Sequence, residues 1–371
     1  MKILQTPVRF YPFVGGVENY VYHLSRELVK AGHDVRVICA KEPETTIEGI
    51  DGIKIERLEY AGKIANTNIT PSLPLHILKD DFDLVHTHLP TPWSSDWSAF
   101  VSKVKKKPLV MTYHNDIVGS GAAGHIANAY NKTALRLLLK RAGKIIVTHP
   151  DYLEFSQHLQ GYREKTEVVP VGVDIEKFHP EDSRAENTIF FLSLLDEFHR
   201  YKGLDYLLEA VKLAKKEIPQ IKLKIGGSGR LLEYYQMKAA ALGLGENTDF
   251  LGYVPDKMIP WHYRNCSLFV LPSISAYQEG FGMVLLEALS SGKPVIGTDI
   301  VGLSGDIEKY KTGIVVKPKD TEALAGAIIR VLQDKEGAKR MGKNGRDLVE
   351  TKYSWKEIAR RIGRIYNSLE V

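Results

Sequence analysis

The feature that most constrains this chain is a rhythm of short apolar runs separated by amphipathic helical stretches, which runs once, breaks, and starts again. KILQT (Lys2 to Thr6) reads as a strand, and Val17, Val21, Leu24 and Leu28 keep helical spacing up to Gly32. DVRVICA then returns as a strand. Further strands fall in DLVHTH, PLVMTYH, KIIVTHP and EVVPVGVD. The rhythm stops in the polar stretch His179 to Thr188 and resumes with strands at Ile189 to Leu195, IKLKIGG, TDFLGYV, SLFVLPSI and KPVIGTD, with helices between. Alternation of this kind predicts parallel α/β sheets, and the restart predicts two of them. The fold class expected is therefore α/β, with two Rossmann-like doubly wound domains. The boundaries are 1–180 for the first, 186–353 for the second, and 354–371 for a closing helix with Trp355, Ile358, Ile362, Ile365 and Leu369 on one face.

A chain of 371 residues is too long for one such core and suits two. The net charge of +5 comes without a dense basic stripe interleaved with aromatics, which argues against nucleic acid. Cys39 and Cys266 stand far apart and read as buried small apolar residues, not as a disulfide or a metal pair. No apolar run reaches 18 residues and the N-terminus enters a strand, so the expected location is cytoplasmic.

Within the second domain, Glu279 to Asp299 packs two glutamates, four glycines and a helix start between two apolar strands. In open parallel sheets ligands bind beyond the carboxyl ends of the strands, which puts Glu279 to Gly282 where a ligand would lie. Gly280 and Gly282 allow close backbone approach, and the amides of Phe281, Gly282 and Met283 open a helix whose N-terminus suits an anion. Glu279 and Glu287, eight residues apart, would hold their carboxylates about 10 Å apart at helical rise. A nucleotide sugar fits: ribose and hexose want carboxylate acceptors, and the diphosphate between them wants amide donors.

Glu-x7-Glu in this setting resembles the retaining, nucleotide-sugar-dependent glycosyltransferases called group 1 or family four, which share the two-domain GT-B fold. The resemblance implies that Glu279 contacts the donor sugar and Glu287 the ribose hydroxyls. It makes Gly15 and Gly16, in the loop GGVE, a cover for the donor phosphate, and Lys202, in DEFHRYKG, a cation on the diphosphate. The second cation of the family, an Arg near Leu195, is missing, and Arg200 is expected to supply it. Tyr253 and Val254 would hold the base through their backbone. PVGVDIEKFHP resembles the segment that closes the family's first domain, with Val171 where Asn is usual.

His114 lies just past a strand end, where it could serve as a general base. The resemblance instead makes it the histidine that hydrogen-bonds the donor sugar, so the catalytic set is His114, Glu279 and Lys202. His86 and His88 share a face of one strand, and Asp81 and Asp83 form a DxD that precedes the strand instead of following it; neither is taken as a metal site. No cofactor is expected beyond the nucleoside diphosphate sugar as donor substrate, UDP- or GDP-linked. Asp116 to Ala129, rich in Gly and Ala, is expected to be a mobile segment lining the acceptor entrance, followed by a helix from Asn131. The expected partners are the nucleotide sugar and a hydroxyl acceptor, lipid-linked if Lys103, Lys105, Lys106, Lys107, Arg136, Lys140 and Arg141 form a basic face for peripheral contact with the inner membrane surface. The competing functions are a phosphorylase, which should be much longer, a nucleotide-sugar epimerase, and a non-catalytic two-lobed sugar-binding protein.

Overall fold

The computed structural model describes the chain apart from residues 65, 118–121, 151, 182–184, 277 and 370–371, with backbone alone at 122, 123 and 155. It divides into two compact units, Met1–Gly172 with Trp355–Val371, and Val173–Ser354.

The first unit is built on an eight-stranded sheet in the order Thr166–Val168, Lys144–Val147, Leu109–Tyr113, Leu84–Leu89, Lys2–Thr6, Asp34–Ala40, Ile53–Leu58 and Gly49–Ile50. Its pairings are parallel except at the last edge strand, which is antiparallel. Leu84–Leu89 is buried along its whole length, which suits its leucines and valine and leaves His86 and His88 to find partners inside the unit. One face carries the helices Gly16–Lys30 and Trp355–Asn367, whose Val21, Leu24, Ile358 and Ile362 pack on Ile3, Val35 and Val37. The other carries Pro92–Val104 and Ala134–Arg141. Chain order reverses on either side of Lys2–Thr6, so the crevice lies beyond the ends of Lys2–Thr6 and Leu84–Leu89.

The second unit has six parallel strands in the order Thr248–Gly252, Lys222–Gly226, Thr188–Leu192, Leu268–Leu271, Val295–Thr298 and Gly313–Val316. Counted along the chain this is 3-2-1-4-5-6, the doubly wound order, with its reversal between Thr188–Leu192 and Leu268–Leu271. Its core fills both faces of the sheet.

Two expectations are corrected. The boundary falls at Gly172, not near 180, because Val173 and Phe178 bury their side chains in the second unit's core, beside Tyr263 and Leu289. The Val173 amide also donates to Tyr353 O at 2.8 Å. Part of the expected linker, 182–184, lies outside the described residues. In the Gly- and Ala-rich segment, Ala122–Lys132 is a helix, and a break at Thr133 separates it from Ala134–Arg141. The first helix is held by Tyr130 Oη donating to Asp96 Oδ1 at 2.7 Å and by Asn131 Nδ2 donating to Ile117 O at 2.9 Å, anchors that local composition does not reveal. The stretch 118–121 lies outside the described residues.

Candidate active site

The reversal point of the second sheet is where Lys202 and Glu279 meet. After the strand Thr188–Leu192 the chain enters a 3-10 turn, Glu197–Lys202, opened by Asp196, whose carboxylate accepts the His199 amide at 3.0 Å. The turn closes on Gly203, where φ is +78° and an added Cβ would lie 2.0 Å from Pro272 O. Only glycine allows that approach. Tyr201 O accepts the Ile274 amide at 2.8 Å, fixing the turn to the segment that follows Leu268–Leu271. Lys202 Nζ thereby reaches both carboxylate oxygens of Glu279, at 3.0 and 2.9 Å. Glu279 is 7% exposed, and it also accepts Ser273 Oγ, while Ser273 O accepts Thr298 Oγ1 at 2.7 Å. A carboxylate this buried is tolerable because a cation and a hydroxyl satisfy it.

Three residues on, Gly282 at φ +81° precedes the helix Met283–Ser290; an added Cβ there would lie 2.6 Å from Val301. The first amides of this helix need acceptors from outside it, which is the property that suits an anion. Gly280 has nothing within 4 Å of where a Cβ would stand, so no strained turn or close approach within the unit requires a glycine there. Phe281, partly buried, tilts against Tyr353. Glu287, half-buried in the second helical turn, accepts Tyr263 Oη at 2.8 Å on Oε2. Burial pushes its carboxyl up to about 7, against the pull of the Tyr263 hydrogen bond and of Lys177. Tyr253 and Val254 follow the strand Thr248–Gly252; Tyr253 is exposed and Val254 is buried against Gly226.

Arg200, on the same turn as Lys202, lies beside an aromatic ring and a carboxylate. Its guanidinium lies over the Tyr234 ring, 5.3 Å from the centroid, and 3.6 Å from Asp205 of the helix Leu204–Ala214. In this structure its charge is directed at Asp205, which anchors one flank of the turn that carries Lys202.

In the first unit, Gly15 is extended at the start of the helix Gly16–Lys30, and an added Cβ would meet Glu18 Oε2 at 2.3 Å. Glu18 is buried and pairs with buried Arg9 at 3.3 Å, and Arg9 also lies over Phe13. Gly15 thus sits against an ionic anchor whose Arg9 half the motif GGVE does not reveal, while a Cβ at Gly16 would meet nothing within 4 Å. His114 lies past the strand Leu109–Tyr113, its amide donating to Leu89 O at 3.1 Å. Its Nε2 is 3.3 Å from His88 Nδ1, and His88 Nε2 is 2.9 Å from Gln5 Oε1. Tyr20 packs edge-on at 4.8 Å between centroids. Burial lowers His114 to about 3, so it is neutral at physiological pH. His86, also lowered to about 3, bonds Tyr366 Oη at 2.6 Å and Thr112 Oγ1 at 2.8 Å. The two histidines of the strand therefore brace the region behind His114. Asp81 pairs with Lys2, and Asp83 accepts the Lys2 amide at 2.7 Å.

Residues 174–348 match the family model of the glycosyl transferases group 1, and residues 14–177 that of Glycosyltransferase Family 4. The D-rhamnosyltransferase WbpZ of Pseudomonas aeruginosa is 30% identical over 342 residues, covering 89% of this chain and 86% of that protein. The chain belongs to the group 1 glycosyltransferases. Another relative of this glycosyltransferase, the O-antigen chain mannosyltransferase C of Escherichia coli, is 28% identical over 100% of this chain and 99% of its own. The crystal structure of Anabaena Alr3699/HepE in complex with UDP superposes with a TM-score of 0.73 at 21% identity, covering 100% of both chains, and shares the GT-B fold. In the glycosyltransferase each of the two glutamates is fixed by partners that the sequence did not pair with it: Ser273 and Lys202 for Glu279, Tyr263 for Glu287. Ser273 was legible only as the residue after a strand-ending Pro, and Tyr263 only as one aromatic in a short helix.

Proposed function

We propose that this glycosyltransferase moves a hexose from a UDP- or GDP-linked sugar to a hydroxyl acceptor with retention of anomeric configuration. The observation that carries the reading is the Lys202–Glu279–Ser273 cluster at the reversal point of the second sheet, with Glu287 eight residues on. A polyol-phosphate ligand matches that set: Glu279 takes sugar hydroxyls, Lys202 the diphosphate, the helix start at Gly282 and Met283 the same phosphates, and Glu287 the ribose. The UDP held by the Anabaena protein and the mannosyl transfer named for the E. coli relative support a nucleotide-linked hexose. In the reaction the bond from the anomeric carbon to the phosphate oxygen breaks and one to the acceptor oxygen forms on the same face. The acceptor proton passes to the departing phosphate. Charge then grows on the diphosphate, where Lys202 stabilises it more in the transition state than in the ground state.

His114 is assigned to hydrogen-bond the transferred sugar. A neutral imidazole held near a pKa of about 3 is a poor proton acceptor for an alcohol, which favours positioning over general base catalysis. The epimerase and the non-catalytic sugar-binding protein are set aside because the relatives that span the chain are named transferases. Thermal-shift titration with UDP-glucose, UDP-N-acetylglucosamine and GDP-mannose tests the donor: saturation at 100 times the dissociation constant adds about 2.7 kcal/mol, and no shift with any of them contradicts the proposal.

For the acceptor we infer a lipid-linked alcohol and contact with a membrane surface. Among the described residues no helix is long and apolar enough to cross a membrane. The helices Pro92–Val104 and Ala134–Arg141 instead expose Phe100, Val104 and Leu137 beside Lys103, Lys106, Arg136 and Lys140. Of the other basic residues expected there, Lys105 is spent on Leu78 O at 2.8 Å, and Arg141 on Lys107 O at 2.7 Å. Exposed apolar side chains ringed by cations suit an anionic interface. Co-sedimentation with phosphatidylglycerol vesicles at low salt tests this, and failure to bind points to a soluble acceptor.

A further inference from the structure

The second unit contains a phenol built into its core for which the donor reading has no use. Tyr263 lies in the short helix Ile259–Arg264, entirely buried. Its ring is enclosed by Phe178 at 5.8 Å and 78°, Phe190 at 5.4 Å and 82°, and Phe269 at 5.2 Å and 57°. Edge-to-face packing on several sides leaves a ring one orientation, so the hydroxyl has a fixed address. That address is Glu287 Oε2, at 2.8 Å. A tyrosine among three phenylalanines would be better packed as a fourth phenylalanine unless its hydroxyl mattered, since a buried hydroxyl needs a partner to be tolerated.

We propose that Tyr263 is a positioning residue for donor binding: its hydroxyl donates to Glu287 Oε2, locks the carboxylate in one rotamer, and leaves Oε1 to accept the ribose hydroxyls of the nucleotide. The inference rests on the assignment of Glu287 to ribose. It adds a consequence that this assignment does not contain. The groups facing Glu287 are Tyr263, Lys177 and Asp256, the last two paired with each other at 2.6 Å. Burial holds the carboxyl near 7, Tyr263 and Lys177 favour its ionised form, and Asp256 opposes it. An ionised carboxylate is the stronger acceptor for ribose hydroxyls, so nucleotide-sugar affinity rises with pH across neutrality. Removing the Tyr263 hydroxyl removes a donor that favours the anion, and the rise moves to higher pH.

The test is calorimetric titration of UDP-glucose and GDP-mannose into the wild type, Tyr263→Phe and Glu287→Gln between pH 6 and 9. The diphosphate diesters of these donors carry no group that titrates near neutrality, so any midpoint belongs to the protein. The wild type is expected to bind more tightly through a midpoint near 7, and Glu287→Gln to bind weakly with no midpoint there. Tyr263→Phe is expected to bind about tenfold more weakly at pH 7, the order for one hydrogen bond to a charged group, and to keep a smaller loss at pH 9, where the carboxylate ionises without the hydroxyl but its rotamer is no longer held. A uniform loss across the range, or an unmoved midpoint, overturns the role of Tyr263. If Glu287→Gln binds as the wild type does, the ribose assignment fails instead, whatever Tyr263→Phe shows. Carbon-13 NMR titration of the Glu287 carboxyl reads the same midpoint without ligand. In Tyr263→Phe it should lie above the wild-type value, and an equal midpoint again overturns the proposal.

Discussion

Replacing Lys202 by methionine keeps most of the side chain's length and removes its charge, which isolates what the ion pair does. Glu279 has a side chain only 3% exposed, and it loses a cation that touches both of its oxygens at 2.9 and 3.0 Å, leaving Ser273 as its partner. Breaking a buried pair by removing one member leaves an uncompensated charge and costs about 3 to 5 kcal/mol. For a unit of roughly 180 residues each kcal/mol lowers the melting temperature by about 2 to 4 °C, so the second unit should melt about 6 to 20 °C earlier. The double variant Lys202→Met/Glu279→Gln removes both charges and should recover much of that loss, because a neutral pair carries little of the desolvation penalty. Neither variant should transfer sugar at more than about 1% of the wild-type rate, since leaving-group charge is no longer neutralised by Lys202. Differential scanning calorimetry with a radiolabelled-donor assay separates the two effects. A single variant that melts with the wild type, or a double variant no more stable than the single, would refute the claim that Glu279 depends on Lys202.

Gly203→Ala should destabilise the second unit by about 3 kcal/mol or more and disable turnover, because the new Cβ meets Pro272 O at 2.0 Å and an L-residue is strained at φ +78°; urea unfolding and the transfer assay read both losses. Glu287→Gln should change the pH dependence of stability. With its folded carboxyl raised from 4.5 to about 7, the wild type has this contribution in full below about 4.5 and loses it as pH rises to about 7. A tenfold change in proton affinity is worth about 1.4 kcal/mol, and partial exposure trims the total to on the order of 1 to 2 kcal/mol, so the variant should gain on the wild type by that amount between pH 4.5 and 8 in urea titrations. His114→Ala should cut turnover by about a hundredfold while leaving nucleotide affinity within about twofold, as steady-state kinetics and calorimetry can show. Equal losses in both would reassign it to donor binding.

The fold class was legible because strand and helix periods differ and restart once; the strand orders were not, since right-handed crossovers between parallel strands allow several, of which the second unit uses 3-2-1-4-5-6. The boundary near 172 was not, because HPEDSRAENT is the more polar stretch, while Val173 and Phe178 are placed by burial in a core assembled from residues up to Tyr353. The two glutamates were readable from their spacing around Gly280 and Gly282. Their partners were not: Tyr263 is 24 positions from Glu287 and Lys202 is 77 from Glu279, and such pairings exist only once the sheet has brought strand ends together. The surroundings of Arg200 were illegible for the same reason: Asp205 and Tyr234, which lie beside it, are placed by two different helices.

Retention is the central chemical claim, and the configuration of the product tests it most directly. The enzyme is incubated with whichever of UDP-glucose, UDP-N-acetylglucosamine or GDP-mannose binds and with a lipid-linked alcohol, and the anomeric one-bond carbon–proton coupling of the product is measured by NMR. An α-linked product from the α-linked donor is the predicted result. A β-linked product would contradict the account, requiring a base opposite the leaving group and returning His114 to that role.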